Sequence, residues 1–124
     1  MKKVLMFAAI MLLSLSAYVS AADVALEVQD WKLSHKKNSR YMIAEGRVKN
    51  ISNASIKGIQ VVVSHLDKDG KFITSDSHFI EYNPILAGQI SPFKVMTRYN
   101  PAMKKATLDF KKFGGGSIGW TRKK

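Results

Sequence analysis

The sequence predicts an all-β protein, folded as an antiparallel β-sandwich of about six to seven short strands. Apolar and polar residues alternate over several short runs, which is the pattern of strands that bury one face. Turn-forming residues separate these runs, and no helical segment crosses over between them. With 124 residues, of which 46% are hydrophobic and 23% charged, the chain has the length and composition of one globular domain.

A leader segment precedes the predicted sandwich. A basic start, an apolar run over 4–13 and small residues over 19–22 are the three parts of a secretory signal peptide. Cleavage after Ala21 and cleavage after Ala22 fit the pattern equally well. An uncleaved membrane anchor is the alternative. A spanning helix needs ~20 mostly apolar residues, and serines interrupt the second half of the apolar segment here. We expect residues 1–21 to be removed, and the mature chain to be periplasmic or secreted, without a membrane span.

The first two strands of the mature chain are predicted from their alternation. Apolar residues at 24, 26 and 28 begin the first strand. The alternation then shifts to Trp31 and Leu33, which predicts a bulge or a bend near Gln29-Asp30. The second strand covers 41–50, where every second residue from position 42 to 48 shares one face. The polar run 50–55 matches two glycosylation sequons, and we interpret it as a turn whose Asn and Ser side chains bond to nearby backbone.

Stripes of β-branched and aromatic residues predict two further strands, at 59–63 and 93–99. Between them, Asp69-Gly70 predicts a hairpin with a two-residue type I′ turn, because both residues tolerate a positive φ. That hairpin would place His65 opposite position 74 and His78 opposite position 61.

The segment from Met103 to Phe113 fits a helix or a strand. The alternation of its apolar residues favours a final strand, so we expect the sandwich domain to cover 22–113. Three glycines at 114–116 follow, and they predict a flexible basic tail over 114–124. Trp120 argues against such a tail, since a large aromatic side chain gains from burial.

Five short motifs follow one another along the predicted sandwich. They are EGRVKNIS at 45–52, IKGIQVVV at 56–63, DKDGK at 67–71, LAGQ at 86–89 and SPFKV at 91–95. In order and spacing, over roughly 41–110, they resemble the FxLYD domain family. The family's Phe-x-Leu-Tyr-Asp strand end is replaced here by residues 63–67, and its Leu-x-Pro-Gly turn has Ala87 in place of proline. The resemblance implies an immunoglobulin-like sandwich, common in exported bacterial proteins, and no enzyme activity.

The chain is strongly basic, and much of the excess charge lies near the C-terminus. The net charge is +11, and residues 104–124 contain seven basic groups and one acidic group. Such a segment is either a solvated basic face or a binding site for polyanions such as acidic lipid, lipopolysaccharide or nucleic acid. If the segment is a strand, its two adjacent lysines at 111 and 112 point to opposite faces. The candidate polyanion-binding residues are Lys104, Lys105, Lys111, Lys112, Trp120, Arg122, Lys123 and Lys124.

The sequence contains no clear pattern for catalysis, cofactor binding or metal binding. Cysteine is absent, which excludes disulfides, thiolate metal sites and cysteine nucleophiles. Asp67-x-Asp69-Gly70 lacks the glycine and the glutamate that a calcium loop requires further on. The predicted hairpin holds His65 and His78 roughly 13 Å apart, too far to share one metal ion. We therefore expect no enzyme activity, no cofactor and no metal site.

Two functions from different classes follow from these observations. The first is a non-enzymatic, exported binding or accessory module that docks to a partner protein of the cell envelope. The alternative is a binder of anionic surfaces or polyanions that acts through the basic C-terminal region. The dependence of affinity on ionic strength distinguishes the two functions. Binding to phosphates weakens steeply as the salt concentration rises, whereas binding through an interface with an apolar centre does not.

Overall fold

The computed structural model describes residues 24–124. The predicted signal peptide and its two possible cleavage positions lie outside the described residues. Seven strands and no helix follow one another along the described chain. They are β1 (Val24–Ser34), β2 (Tyr41–Asn50), β3 (Ile59–Leu66), β4 (Phe72–Phe79), β5 (Ile90–Arg98), β6 (Lys105–Lys112) and β7 (Gly119–Arg122).

The strands form two sheets packed face to face, which confirms the predicted β-sandwich. One sheet has four strands in the order β5-β2-β1-β7, and the other has three in the order β4-β3-β6. Neighbouring strands are antiparallel except β1 and β7, which run parallel. β6 confirms that the segment which also fitted a helix is a strand.

The core lies between the two sheets and is made of inward side chains. Along β3 and β5 every second residue is buried, as the alternation of the sequence predicts. Phe110 of β6 is fully buried, and its ring packs edge-on against Phe93 and Trp120 at centroid distances of 6.0 and 5.7 Å. Such aromatic pairs contribute about 1 kcal/mol beyond the area they bury.

The predicted bulge in β1 is confirmed. Val28 pairs with Val48, and Asp30 pairs with Arg47, so Gln29 is the extra residue. Because the bulge adds one residue to β1, the inward positions change from even to odd numbers, and Trp31 and Leu33 point inward. This explains the shift in the alternation of the sequence.

The hairpin between β3 and β4 has the predicted register. His65 faces Thr74, and Val61 faces His78. The two histidines are therefore four positions apart along the ribbon, on the inward face of the same hairpin.

The turn of this hairpin differs from the predicted type I′. Gly70 has a φ of 82°, but Asp69 does not have a positive φ. The N–H of Gly70 donates to the carbonyl of Asp67 at 3.0 Å, which is a type I turn followed by a left-handed glycine. Oδ1 of Asp67 accepts hydrogen bonds from the N–H groups of Asp69 and Lys71 at 2.8 and 2.9 Å, and these bonds stabilise this turn over the type I′ form. A register shift after His65 compensates for the longer loop.

The C-terminal residues belong to the sandwich, so the prediction of a flexible tail over 114–124 is wrong. β7 pairs with β1, and Ile118 is buried with its N–H donating to the carbonyl of Phe110 at 2.9 Å. Trp120 packs against the core. The apolar area that these two side chains bury outweighs the entropy lost when the preceding glycines are ordered.

Candidate functional site

The two long sides of the sandwich differ, and one of them is open. On the sealed side, where β6 and β7 border the sheets, Ile118 and Trp120 fill the space between them. On the open side, a cleft of about 1040 Å³ enters between β4 and β5. Apolar clefts of this size are the usual location of binding sites in proteins.

One wall of the cleft is apolar. Phe93 and Val95 of β5 and Ile80, which follows β4, contribute buried side chains to it. Trp31 of β1 forms part of its floor and is packed against the core.

Gly46 completes the floor of the cleft. It pairs with Trp31, and a Cβ on Gly46 would overlap the carbonyl oxygen of Asp30 and lie 2.6 Å from the Cβ of Trp31. Only glycine allows the two backbones to approach so closely. The cleft therefore reaches the backbone of β2 at this point.

The other wall is β4, whose inward positions carry polar side chains. Asp76 and His78 face the cleft, because the residues they pair with, Val63 and Val61, are fully buried in the core. Both side chains are exposed, as are the other residues of the second half of β4. Burying these polar side chains against β5 would cost free energy, which favours an accessible cleft on this side of the sandwich.

Charged residues of both signs border the cleft, and the basic ones are Lys32, Arg47 and Lys94. Arg47 donates two hydrogen bonds to Oδ2 of Asp30, at 2.6 and 3.1 Å. These bonds and the charge of Arg47 hold the pKa of Asp30 below its ordinary value. Four of the acidic residues in the described part of the chain line the cleft. They are Asp30, Glu45, Asp76 and Glu81.

β4 also has a free backbone edge. Among residues 24–124 it is the outer strand of its sheet, and β3 is its one strand partner. It contains no proline, lysine or arginine, which are the residues that commonly protect edge strands. By contrast, β5 has Pro92, whose carbonyl accepts a hydrogen bond from the N–H of Glu81 at 3.0 Å. A free strand edge beside an apolar cleft is the arrangement that accepts an additional strand.

One end of the sandwich is strongly basic, and we call it the basic end. It consists of the β1–β2 loop (35–40), the β3–β4 turn (67–71) and residues 98–105 between β5 and β6. Together these segments hold eight basic and two acidic residues, a net charge of +6, and all eight basic side chains are exposed. The segments at the opposite end, 51–58, 80–89 and 112–118, hold two basic residues and one acidic residue.

Hydrogen bonds and a ring stack connect the segments of the basic end. The N–H of Tyr99 donates to the carbonyl of Arg40 at 2.7 Å, and the Tyr99 ring stacks on His35 with centroids 3.6 Å apart. The N–H of Lys104 donates to the carbonyl of Leu66 at 2.9 Å. The three segments therefore form one continuous surface.

A small pocket of about 240 Å³ opens at the basic end, with His35, Lys104 and Lys105 among its lining residues. His65 also lines it, is only 1% exposed, and carries an Nδ1 atom with no hydrogen-bond partner within the described chain. Burial lowers the pKa of His65, and the nearby charge of Asp76 opposes this effect only in part. His65 is thus a neutral imidazole at neutral pH.

The predicted polyanion-binding residues do not form one cluster. Lys104 and Lys105 lie at the basic end. Lys111 and Lys112 lie at the other end of β6, about 23 Å away at ~3.3 Å per residue. Trp120 packs against the core. The remaining three, Arg122, Lys123 and Lys124, lie at the end of the chain beside the middle of β1.

The described residues do not form a metal centre. Within residues 24–124 no three His, Asp or Glu side chains come close enough to hold a metal ion. In the same part of the chain, no helix is long and apolar enough to cross a membrane.

The residues of the cleft were not identified from the sequence. A signal for them exists, because the Asp69-Gly70 turn requires a partner strand over 72–79. The inward positions of that strand, 76 and 78, are polar. The turn implies that a second strand of the hairpin is present, but that strand has no apolar face to bury. Such a strand indicates a sheet edge where the core is not fully covered.

No protein-family model matches the chain, and no curated protein matches it. Among solved structures, the chain is similar to IrmA from Escherichia coli. The TM-score is 0.56 and the sequence identity is 7%, and the match covers 80% of this chain and 91% of that one. At this identity the likeness shows a shared fold only.

Proposed function

We propose that the chain is a non-enzymatic binding module that takes an extended segment of a partner protein along β4 and into the cleft. The observation that supports it best is the combination of the free β4 edge with the apolar wall made by Phe93, Val95 and Ile80. In this mode of recognition, backbone hydrogen bonds to the edge give affinity. Pockets for alternate side chains of the added strand give specificity.

Two acidic side chains at and just after β4 favour a partner segment that carries a basic residue. Asp76 and Glu81 have no ion-pair partner within residues 24–124, and both are exposed. A segment with apolar residues at alternate positions and a basic residue between or beside them complements this surface.

The side-chain contacts of the cleft support binding rather than catalysis. A nucleophile needs a base within hydrogen-bond reach. Within residues 24–124, the cleft's side-chain hydrogen bonds to another side chain are those from Arg47 to Asp30. Guanidinium and carboxylate in such a pair hold each other and do not activate a hydroxyl group.

We place this module in the cell envelope. This part of the proposal rests on the leader over 1–21 and on the resemblance to FxLYD domains. Mass spectrometry of the protein from its own cells tests it, since a retained Met1 would show that the leader is not removed.

Selection from a display library of random linear peptides tests the β4 site directly. We expect enriched peptides with alternating apolar residues, and we expect them to slow amide hydrogen exchange in β4 more than in any other strand. The variant D76R/H78R should weaken their binding at least about tenfold, because it places two charges on the inward face of β4. The control S75R places a charge on the outer face of the same strand, outside the cleft lining, and should bind within about threefold of the wild type. Protection that maps elsewhere, or equal losses in both variants, would refute the site.

A further inference from the structure

We infer that the basic end docks on an anionic phospholipid surface, with one headgroup phosphate in the small pocket beside Lys104 and Lys105. This surface is separate from the cleft, so the inference does not depend on what β4 binds.

The distribution of charge favours a flat partner. Lys36, Lys37 and Arg40 come from the β1–β2 loop, and Lys68 and Lys71 come from the β3–β4 turn. These two connections belong to different sheets, so their charges spread over the whole end of the sandwich rather than along one line. A planar anionic surface meets all of them at once, whereas a single polyanion strand meets only a row.

Residues 98–105 complete the surface between the two sheets. This segment crosses from β5 in one sheet to β6 in the other, and it contributes Arg98, Lys104 and Lys105. Its contacts with His35, Arg40 and Leu66 hold the three segments together. The charges are thus presented on a pre-formed face, and little conformational entropy is lost on docking.

The pocket supplies a place for one phosphate group. Lys104 and Lys105 line it, and His65 contributes a buried imidazole whose Nδ1 has no partner within the described chain. A buried nitrogen without a partner is costly, and an oxygen or a hydroxyl of a headgroup relieves that cost. Lysine ammonium groups bind phosphate as point charges from any direction.

Two exposed aromatic side chains lie at the rim of the basic end. Phe72, 65% exposed, follows Lys71, and Tyr41, 44% exposed, follows Arg40. Aromatic side chains beside basic ones are typical of surfaces that rest at the level of lipid headgroups.

Sedimentation of the mature chain with vesicles tests the inference. We expect binding to phosphatidylcholine vesicles that contain about one third phosphatidylglycerol and none to pure phosphatidylcholine vesicles. K104E/K105E should lower the partition coefficient at least about tenfold, because each lysine near an anionic membrane contributes roughly fivefold. The matched control K57E/K112E makes the same charge change at the opposite end and should lower it less than about threefold. Thermal unfolding of both variants verifies that they are folded.

Two further probes separate the sources of phosphate. Glycerol 3-phosphate should shift the NMR signals of His65 and of residues 104–105, and an unchanged spectrum would refute the pocket. Single-stranded DNA should compete weakly with the vesicles. Binding to DNA without binding to phosphatidylglycerol vesicles would replace the lipid surface with a nucleic acid. Binding to pure phosphatidylcholine vesicles, or equal losses in the two variants, would also overturn the inference.

Discussion

The two long sides of the sandwich are bordered by edge strands of the same two sheets, yet one side is sealed and the other is open. On the sealed side, the inward residues are Ile118 and Trp120, which pack against the core. On the open side, the inward positions of β4 hold Thr74, Asp76 and His78. The residue types at the inward positions of the edge strands therefore decide where the core is accessible.

The sealed side should be the more sensitive of the two to mutation. Trp120→Ala removes the ring that packs on Phe110 and opens the β6–β7 side. Because the Trp120 side chain is only partly buried, we expect a loss of about 2–3 kcal/mol, somewhat below the range for fully buried tryptophans. For a domain of this size, that loss corresponds to a decrease in Tm of about 10 °C or more, which calorimetry measures.

Thr121→Ala is the matched control, because Thr121 lies next to Trp120 on β7 and is exposed. It should change Tm by less than about 3 °C, since surface substitutions stay near ±0.5 kcal/mol. Deletion of 117–124 should destabilise the protein at least as much as Trp120→Ala. An unchanged Tm for that deletion would show that the sealed side does not depend on β7.

The floor of the cleft is the rigid part of the open side. Gly46→Ala places a Cβ against the carbonyl of Asp30 and against Trp31, so one of the paired strands must move. Overpacking of this kind costs about 1–3 kcal/mol, and urea unfolding measures the loss. Gly88→Ala is a different case, because a Cβ there meets no atom within 4 Å and the cost comes only from its φ of 79°. Gly46→Ala should be the more damaging of the two.

The elements that depend on neighbouring residues could be predicted from the sequence. The bulge at Gln29 follows from a change of phase within one strand. The polar turn after β2 follows from local side chains: Oδ1 of Asn50 accepts hydrogen bonds from the N–H and the hydroxyl of Ser52 at 3.0 and 2.7 Å. The type of the β3–β4 turn was predicted wrongly, because the two hydrogen bonds to Asp67 favour a different loop.

The candidate sites depend on residues that are distant in the sequence, and they could not be predicted in the same way. The basic end combines 35–40, 67–71 and 98–105, whereas a linear count of charge finds only the C-terminal segment. The cleft lies between β4 and β5, which are distant in the sequence and belong to different sheets. The docking of Trp120 depends on a parallel pairing between the first and last strands, which no local pattern encodes.

The buried histidine of β3, His65, should make the stability of the protein depend on pH. Burial lowers the pKa of His65 in the folded state, whereas the unfolded chain binds a proton near the ordinary value of 6.5. The unfolded state therefore holds more protons as the pH falls through 6.5, so the free energy of unfolding decreases as the pH falls from neutral toward the lowered pKa of the folded state. His65→Gln should flatten this part of the pH profile, which urea unfolding at several pH values measures. Equal slopes for His65→Gln and the wild type would contradict the assignment to His65.

The smallest effect is expected at the polar wall of the cleft, and it is the sharpest test of the contrast between the two sides. Asp76 and His78 occupy inward positions, as Trp120 does, but both are exposed and neither makes an ion pair within residues 24–124. Asp76→Ala and His78→Ala remove no buried contact and should each change the free energy of unfolding by less than about 0.5 kcal/mol. Urea unfolding of the two variants beside Trp120→Ala gives the comparison directly. If either variant costs more than about 1 kcal/mol, β4 is closed against β5 in solution and the cleft is not available to a partner.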